Sequence, residues 1–226
     1  MANTLKADFK SIKLMPTLLA IMLGAGVLNM ILGLLIMTDN GFYLASELLR
    51  FLSVLGVYIC AYRLTGIFKE FAYTNVFFAI YVFFTLAIKI VTWLKQFPID
   101  ALLLGISLYV FYAISELAIM FGINFLLLGI AKKYEEMDGG KAHPEAEKTR
   151  RIWITTQILI MVIGGILLPI YTGIYDYLPL GKIGMIIMLS LGYLAAVVYI
   201  CIQVYRFCFQ YYMYLYNGPK GGMVRR

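Results

Sequence analysis

A chain of 226 residues that is 62% hydrophobic and 14% charged, with a mean hydropathy of +0.86, is not a water-soluble domain; those carry about 25% charged and about 45–50% apolar residues. Too few polar side chains are present to face water on every side. The formal charge of +7 reads as a mark of membrane topology and of attraction to an anionic leaflet, and nucleic acid is not expected as a partner.

Apolar blocks long enough to cross a hydrocarbon layer of about 30 Å, at 1.5 Å per helical residue, occur six times in chain order. The first covers 14–37 and is closed by "TDNG"; the second covers 42–67, and the third 73–94, ending before "KQFPID". The fourth covers 102–131. After the polar segment 132–151, "KKYEEMDGGKAHPEAEKTRR", a fifth covers 152–175 and a sixth 183–205, separated by "DYLPLGK". Lipid offers no partner for backbone N–H and C=O groups, so the spans are helices; runs this long without alternation are not barrel strands. The expected fold class is all-α, one membrane domain over 1–226 with six transmembrane helices.

Lys and Arg set the orientation. With the N-terminus inside, Lys6, Lys10, Lys13, Arg63, Lys69, the six cations of 132–151, Arg206, Lys220, Arg225 and Arg226 share the inner side, fifteen in all, against only Lys95 and Lys182 outside. The positive-inside rule then places both termini in the cytoplasm. Trp93, Tyr171, Tyr175 and Tyr177 fall at outer span ends, and Trp153 with "YRFCFQYYMYLYNG" at inner ends, the level at which amphipathic rings anchor. The segment 132–151 has alternating charges, a Gly139-Gly140 break and Pro144, and is too short for its own core. It is expected to be a solvated tether between two three-helix halves.

Catalytic chemistry finds little to work with. Cys60, Cys201 and Cys208 form no CxxC pair and are expected in the inner halves of spans, and the single histidine, His143, lies in the tether. Neither a metal site nor a His-dependent hydrolase can be assembled from these, and Asp176 of "YDYLPLG" lacks the second aspartate of a dyad. No enzyme activity, metal or cofactor is expected.

What stands out is charge inside the spans: Glu47 and Arg50 in the second, Lys89 in the third and Glu116 in the fourth, the last being the only charge between Ala101 and Ala131. A charge facing lipid at mid-bilayer costs about 2.5–3.5 kcal/mol or more, so such residues turn toward the bundle interior or water. Their formal sum is zero. At 100° per residue, Ser46, Glu47, Arg50 and Ser53 share one side of span two, and Leu48, Phe51, Leu52, Leu55 and Ile59 share the other. The same projection gathers Tyr81, Thr85 and Thr92 around Lys89, and Tyr109 and Tyr112 around Glu116. By helical rise, Glu47, Arg50 and Lys89 lie about 6–12 Å below the outer ends and Glu116 about 15–20 Å below. Glu47 is expected to pair with Lys89, and Arg50 to reach toward Glu116.

Two functional readings follow. In the first, the stripes line an outward-opening cavity in which Glu116, Arg50, Lys89, Glu47, Tyr109 and Tyr112 bind a small polar or zwitterionic solute, or exchange an ion or proton. The protein is then a transporter or membrane solute-binding component. In the second, the charges only fix helix packing, in a scaffold, an immunity or assembly factor, or a subunit of an oligomeric channel. The plan of six helices with both ends inside resembles the substrate-binding membrane components of energy-coupling-factor vitamin transporters. Ala20 and Gly24 of "AIMLGAG" stand loosely where their helix-one alanine signature would. That resemblance implies an energising partner protein; a homo-oligomer is the alternative assembly, and a bacterial plasma membrane the expected home.

Overall fold

A chain surrounded by lipid must satisfy its backbone within each segment, and helices do so here. The computed structural model describes residues 2–34, 41–66, 69–94, 101–137, 144–163 and 179–217. They form six α-helices: α1 (Ala2–Leu34), α2 (Gly41–Leu64), α3 (Lys69–Leu94), α4 (Ala101–Met137), α5 (Pro144–Val162) and α6 (Pro179–Asn217). Five are long and apolar enough to span a bilayer, over Ser11–Asn29, Leu44–Leu64, Lys69–Thr92, Leu103–Met137 and Ile187–Tyr214. Helix α5 contains the start of the fifth expected span, and the rest of that span, 164–175, lies outside the described residues. The protein is an all-α, multi-pass integral membrane protein.

Consecutive helices run antiparallel and pack on their chain neighbours, and α6 returns to α1, so the six close into a ring. Between α1 and α2, Gly56 lies against Leu18 and Arg50 against Gly26, while the Ser46 hydroxyl donates to the Asn29 side-chain carbonyl. The α3–α4 seam has a repeat of seven. Phe71, Phe78 and Thr85 on α3 meet Gly129, Gly122 and Ser115 on α4. A seven-residue repeat keeps one face of each helix on its partner, and glycine lets a ring settle against backbone. A Cβ on Gly122 would lie 2.6 Å from Phe78 Cε1, and one on Gly129 3.0 Å from Phe71 Cε1. Beside the seam, Phe77 stacks on Phe125 with centroids 5.5 Å apart. At the far end Lys132 Nζ donates to Glu70 Oε1 at 2.5 Å, tying the start of α3 to the end of α4.

The core inside the ring is apolar, centred on Met15, Leu19, Met22, Val54, Val57, Phe78, Ile123, Leu126, Ile200 and Val204. Leu52, Ile59, Phe83, Ile90 and Val198 are exposed on the outside, where acyl chains cover them. The alternation of helix direction gathers Arg63, Lys69, Lys132, Lys133, Lys148, Arg150, Arg151 and Arg206 at one end of the ring, the basic end.

Two expectations change. Trp153 is not an interfacial anchor: it is fully buried, and its indole N–H donates to the Met120 carbonyl on α4 at 3.0 Å. An indole N–H in an apolar core requires an acceptor, and a backbone oxygen midway along α4 provides it. Nor is 132–151 a tether throughout. Helix α4 continues to Met137 and α5 starts at Pro144, leaving only 138–143 outside the described residues. Tyr134, Ala146 and Thr149 are buried along these extensions. Pro144 suits a first helical position, acidic Glu145 and Glu147 suit the positive end of the helix, and Arg150 bonds Glu147 at 3.1 and 2.7 Å within one turn. Those hydrogen bonds hold the Glu147 carboxyl below the usual carboxylate range.

Candidate functional site

The polar stripe of α2 faces into the ring. Ser46 and Ser53 are 4% and 3% exposed, whereas Leu52 and Ile59 on the opposite side are 54% and 52% exposed. Ser53 returns its hydroxyl to the Leu49 carbonyl at 2.6 Å, so it needs no partner on another helix. Glu47 and Arg50, one turn apart on this stripe, do need partners, and α3 and α4 supply them. Lys89 donates to Glu47. Arg50 meets Glu116 through both guanidinium nitrogens, Nη1 to Oε1 and Nη2 to Oε2, each 3.1 Å. This two-point fork fixes orientation as well as distance. The same guanidinium lies 5.6 Å from the centre of the Tyr81 ring, a second attraction for the cation.

Both pairs border one cavity of about 600 Å³ in the half of the ring away from the basic end. All six helices contribute to it: Gly26 and Asn29 from α1, Glu47, Arg50 and Phe51 from α2, and Tyr81, Thr85 and Lys89 from α3. Tyr112, Ser115 and Glu116 come from α4, Gln157 and Ile160 from α5, and Tyr193 from α6. The cavity begins where the α3–α4 seam changes from Phe against Gly to Thr against Ser, with the Thr85 and Ser115 hydroxyls 3.5 Å apart. Gly26 keeps one wall thin: a Cβ there would stand 3.6 Å from Arg50 Nε and 3.9 Å from the Tyr193 hydroxyl.

Each ion pair has an inner and an outer member. The Arg50 side chain is 15% exposed and its partner Glu116 51%; Glu47 is 22% exposed and its partner Lys89 52%. The inner members share α2 and hold the outer ones in place. Glu116 thus keeps lone pairs, and Lys89 N–H donors, turned to the open part of the cavity. An acceptor and a donor of opposite charge, both anchored from behind, can bind the two ends of a dipolar molecule without either pair being broken.

Of the six residues singled out from sequence, Glu47, Arg50, Lys89, Tyr112 and Glu116 line this cavity together, and Tyr109 does not. Tyr109 is 74% exposed on the outside of α4. The cause is the Phe–Gly seam, which centres the buried face of α4 on Ser115 and Gly122; Tyr109 then stands about 120° from Ser115 at 100° per residue. Glu116 is itself off that centre, and the length of Arg50 brings it in. Sequence reasoning passed over Ser115, Gln157 and Tyr193. Gln157 is the detectable one, a single amide immediately before the apolar run "ILIMV" of α5. Among the described residues no group of three His, Cys, Asp or Glu side chains is placed to hold a metal, and the three cysteines are unpaired.

Comparison with family models, with curated proteins and with solved structures returned no match.

Proposed function

We propose that the protein is a transporter or membrane solute-binding component for a small zwitterionic solute. The observation that carries this reading is the cavity into which all six helices project, with one carboxylate and one ammonium half-exposed to it and the inner member of each pair behind them. The solute's ammonium goes to Glu116 and its acid group to Lys89, and Tyr112, Thr85, Gln157 and Tyr193 offer hydrogen bonds between. A neutral site binds a neutral dipolar molecule without leaving an uncompensated charge in low dielectric. Leu44, Leu48, Leu86 and Ile160 also line the cavity and would receive an apolar substituent. By the positive-inside rule the basic end is cytoplasmic, which turns the cavity outward, and a bacterial plasma membrane with an energising partner fits this arrangement.

The test is thermal stabilisation of the purified protein by zwitterions, compared with matched amines and acids that carry one charge. Zwitterions are expected to raise the melting temperature, and Glu116→Gln and Lys89→Gln each to remove most of that rise; equal response to all three solute classes would refute the reading. A structural role is the second reading, because each of the four charges already has a partner in the bundle. It predicts no stabilisation by any solute, and an unaltered protein when Glu47 and Lys89 are replaced together by Gln.

A further inference from the structure

At the basic end, remote from the central cavity, a second opening of about 450 Å³ lies between α4, α5 and α6. Its lining divides by chemistry. Leu127, Ile130 and Val204 are apolar, whereas Glu145, in the first turn of α5, and Arg206, on α6, are charged. Gln203 and Gln210 stand one turn to either side of Arg206 on the same helix face. The opening lies along the last three turns of the apolar spans Leu103–Met137 and Ile187–Tyr214, on the side of the basic end.

Glu145 and Arg206 border one opening but do not reach each other, and among the described residues neither has an ion-pair partner. Their neighbours behave differently: Glu147 is taken by Arg150 and Arg151, and Glu136 by Lys133. Two opposite charges held apart over a mostly polar opening, with the exposed Phe209 ring at its edge, fit a molecule with an anion and a cation joined by a short spacer, carrying apolar chains. We infer that this cleft binds a zwitterionic phospholipid headgroup, phosphate at Arg206 and ammonium at Glu145, with the acyl chains leaving over the exposed Phe209 at its edge. The Gln203 and Gln210 amides are donors for the remaining phosphate oxygens. The inference is independent of the solute site.

It runs against the bulk electrostatics of this end, where the surrounding cations favour anionic lipid; Glu145 is what reverses the preference locally. Native mass spectrometry of the full chain, released from micelles holding equal phosphatidylethanolamine and phosphatidylglycerol, tests this. Wild type is expected to retain phosphatidylethanolamine about three- to fivefold over phosphatidylglycerol, the scale of one rim charge contact. Glu145→Gln is expected to remove or invert that ratio, and Arg206→Gln to lower retention of both lipids. Both side chains are exposed, and an unchanged melting temperature verifies that the variants fold. Phosphatidylglycerol retained as well as phosphatidylethanolamine by wild type, or a ratio unmoved by Glu145→Gln, overturns the inference. Displacement of the lipid by millimolar phosphoethanolamine also overturns it, because the ligand would then be the soluble headgroup and not a lipid.

Discussion

Removing Glu116 and removing Arg50 are not equivalent, although both break the same pair. Glu116→Leu strands a guanidinium that is 15% exposed and cannot shed its proton. Arg50→Leu strands a carboxylate that is 51% exposed, which can take water from the cavity or a proton. Breaking a fully buried pair from one side costs about 3–5 kcal/mol, and the half-exposure of Glu116 reduces this to about 2–3 kcal/mol for Glu116→Leu. Arg50→Leu loses the contact with Tyr81, 5.6 Å away, and little beyond it, about 1–2 kcal/mol. The double variant leaves no stranded charge and is expected within about 1 kcal/mol of wild type. Equilibrium unfolding in mixed SDS micelles, followed by tryptophan fluorescence, measures all four proteins as a cycle. The expected order is wild type, double variant, Arg50→Leu, Glu116→Leu, from most to least stable. A double variant as unstable as the sum of the singles would show that the two residues do not depend on each other, and the account of the inner and outer members would fail.

The α3–α4 seam predicts opposite responses from two glycines. Gly122→Ala drives a Cβ to 2.6 Å from the fully buried Phe78 ring and is expected to cost about 1–3 kcal/mol as overpacking; Gly105→Ala meets nothing within 4 Å and is expected to be neutral or stabilising by up to about 1 kcal/mol. Apparent melting temperatures of the two variants in one detergent separate them, and equal shifts would refute the seam. The depressed Glu147 carboxyl gives a pH test. A folded pKa below the unfolded value of about 4.3 stabilises the α4–α5 extensions above that value, and the stabilisation disappears as the pH falls through the folded pKa. A melting-temperature advantage of wild type over Glu147→Gln at pH 6 should therefore shrink as the pH falls below about 4.3 and vanish once the pH is below the folded pKa, and an advantage independent of pH would rule this out.

Helices and ion pairs were legible in the sequence for one reason: both are exceptions to an apolar background. A block of uncharged residues has one stable form in lipid, and a lone Glu116 or Lys89 within it must find a counterpart, so Glu47–Lys89 and Arg50–Glu116 could be anticipated from depth and reach. Helix phase was less legible. The side of α4 that is buried is decided by Phe71 and Phe78 meeting Gly129 and Gly122, a relation between two helices that neither shows alone, and Tyr109 was therefore assigned to the wrong face. Trp153 has the composition of an interfacial anchor, and only the approach of α5 to the Met120 carbonyl makes it a core residue. The charges of 132–151 suggested solvent, but most of them sit on helix faces opposite the buried Tyr134, Ala146 and Thr149.

The claim on which the solute site depends is that the charged interior meets water and not acyl chains. Single cysteines in a background without Cys60, Cys201 and Cys208 test it, with Thr85→Cys in the cavity and Leu52→Cys on the outward face of α2. A small charged thiosulfonate that does not cross membranes is expected to modify Thr85→Cys in proteoliposomes and to leave Leu52→Cys untouched. Modification of Thr85→Cys only by a lipid-soluble reagent, at the rate seen for Leu52→Cys, would contradict the account.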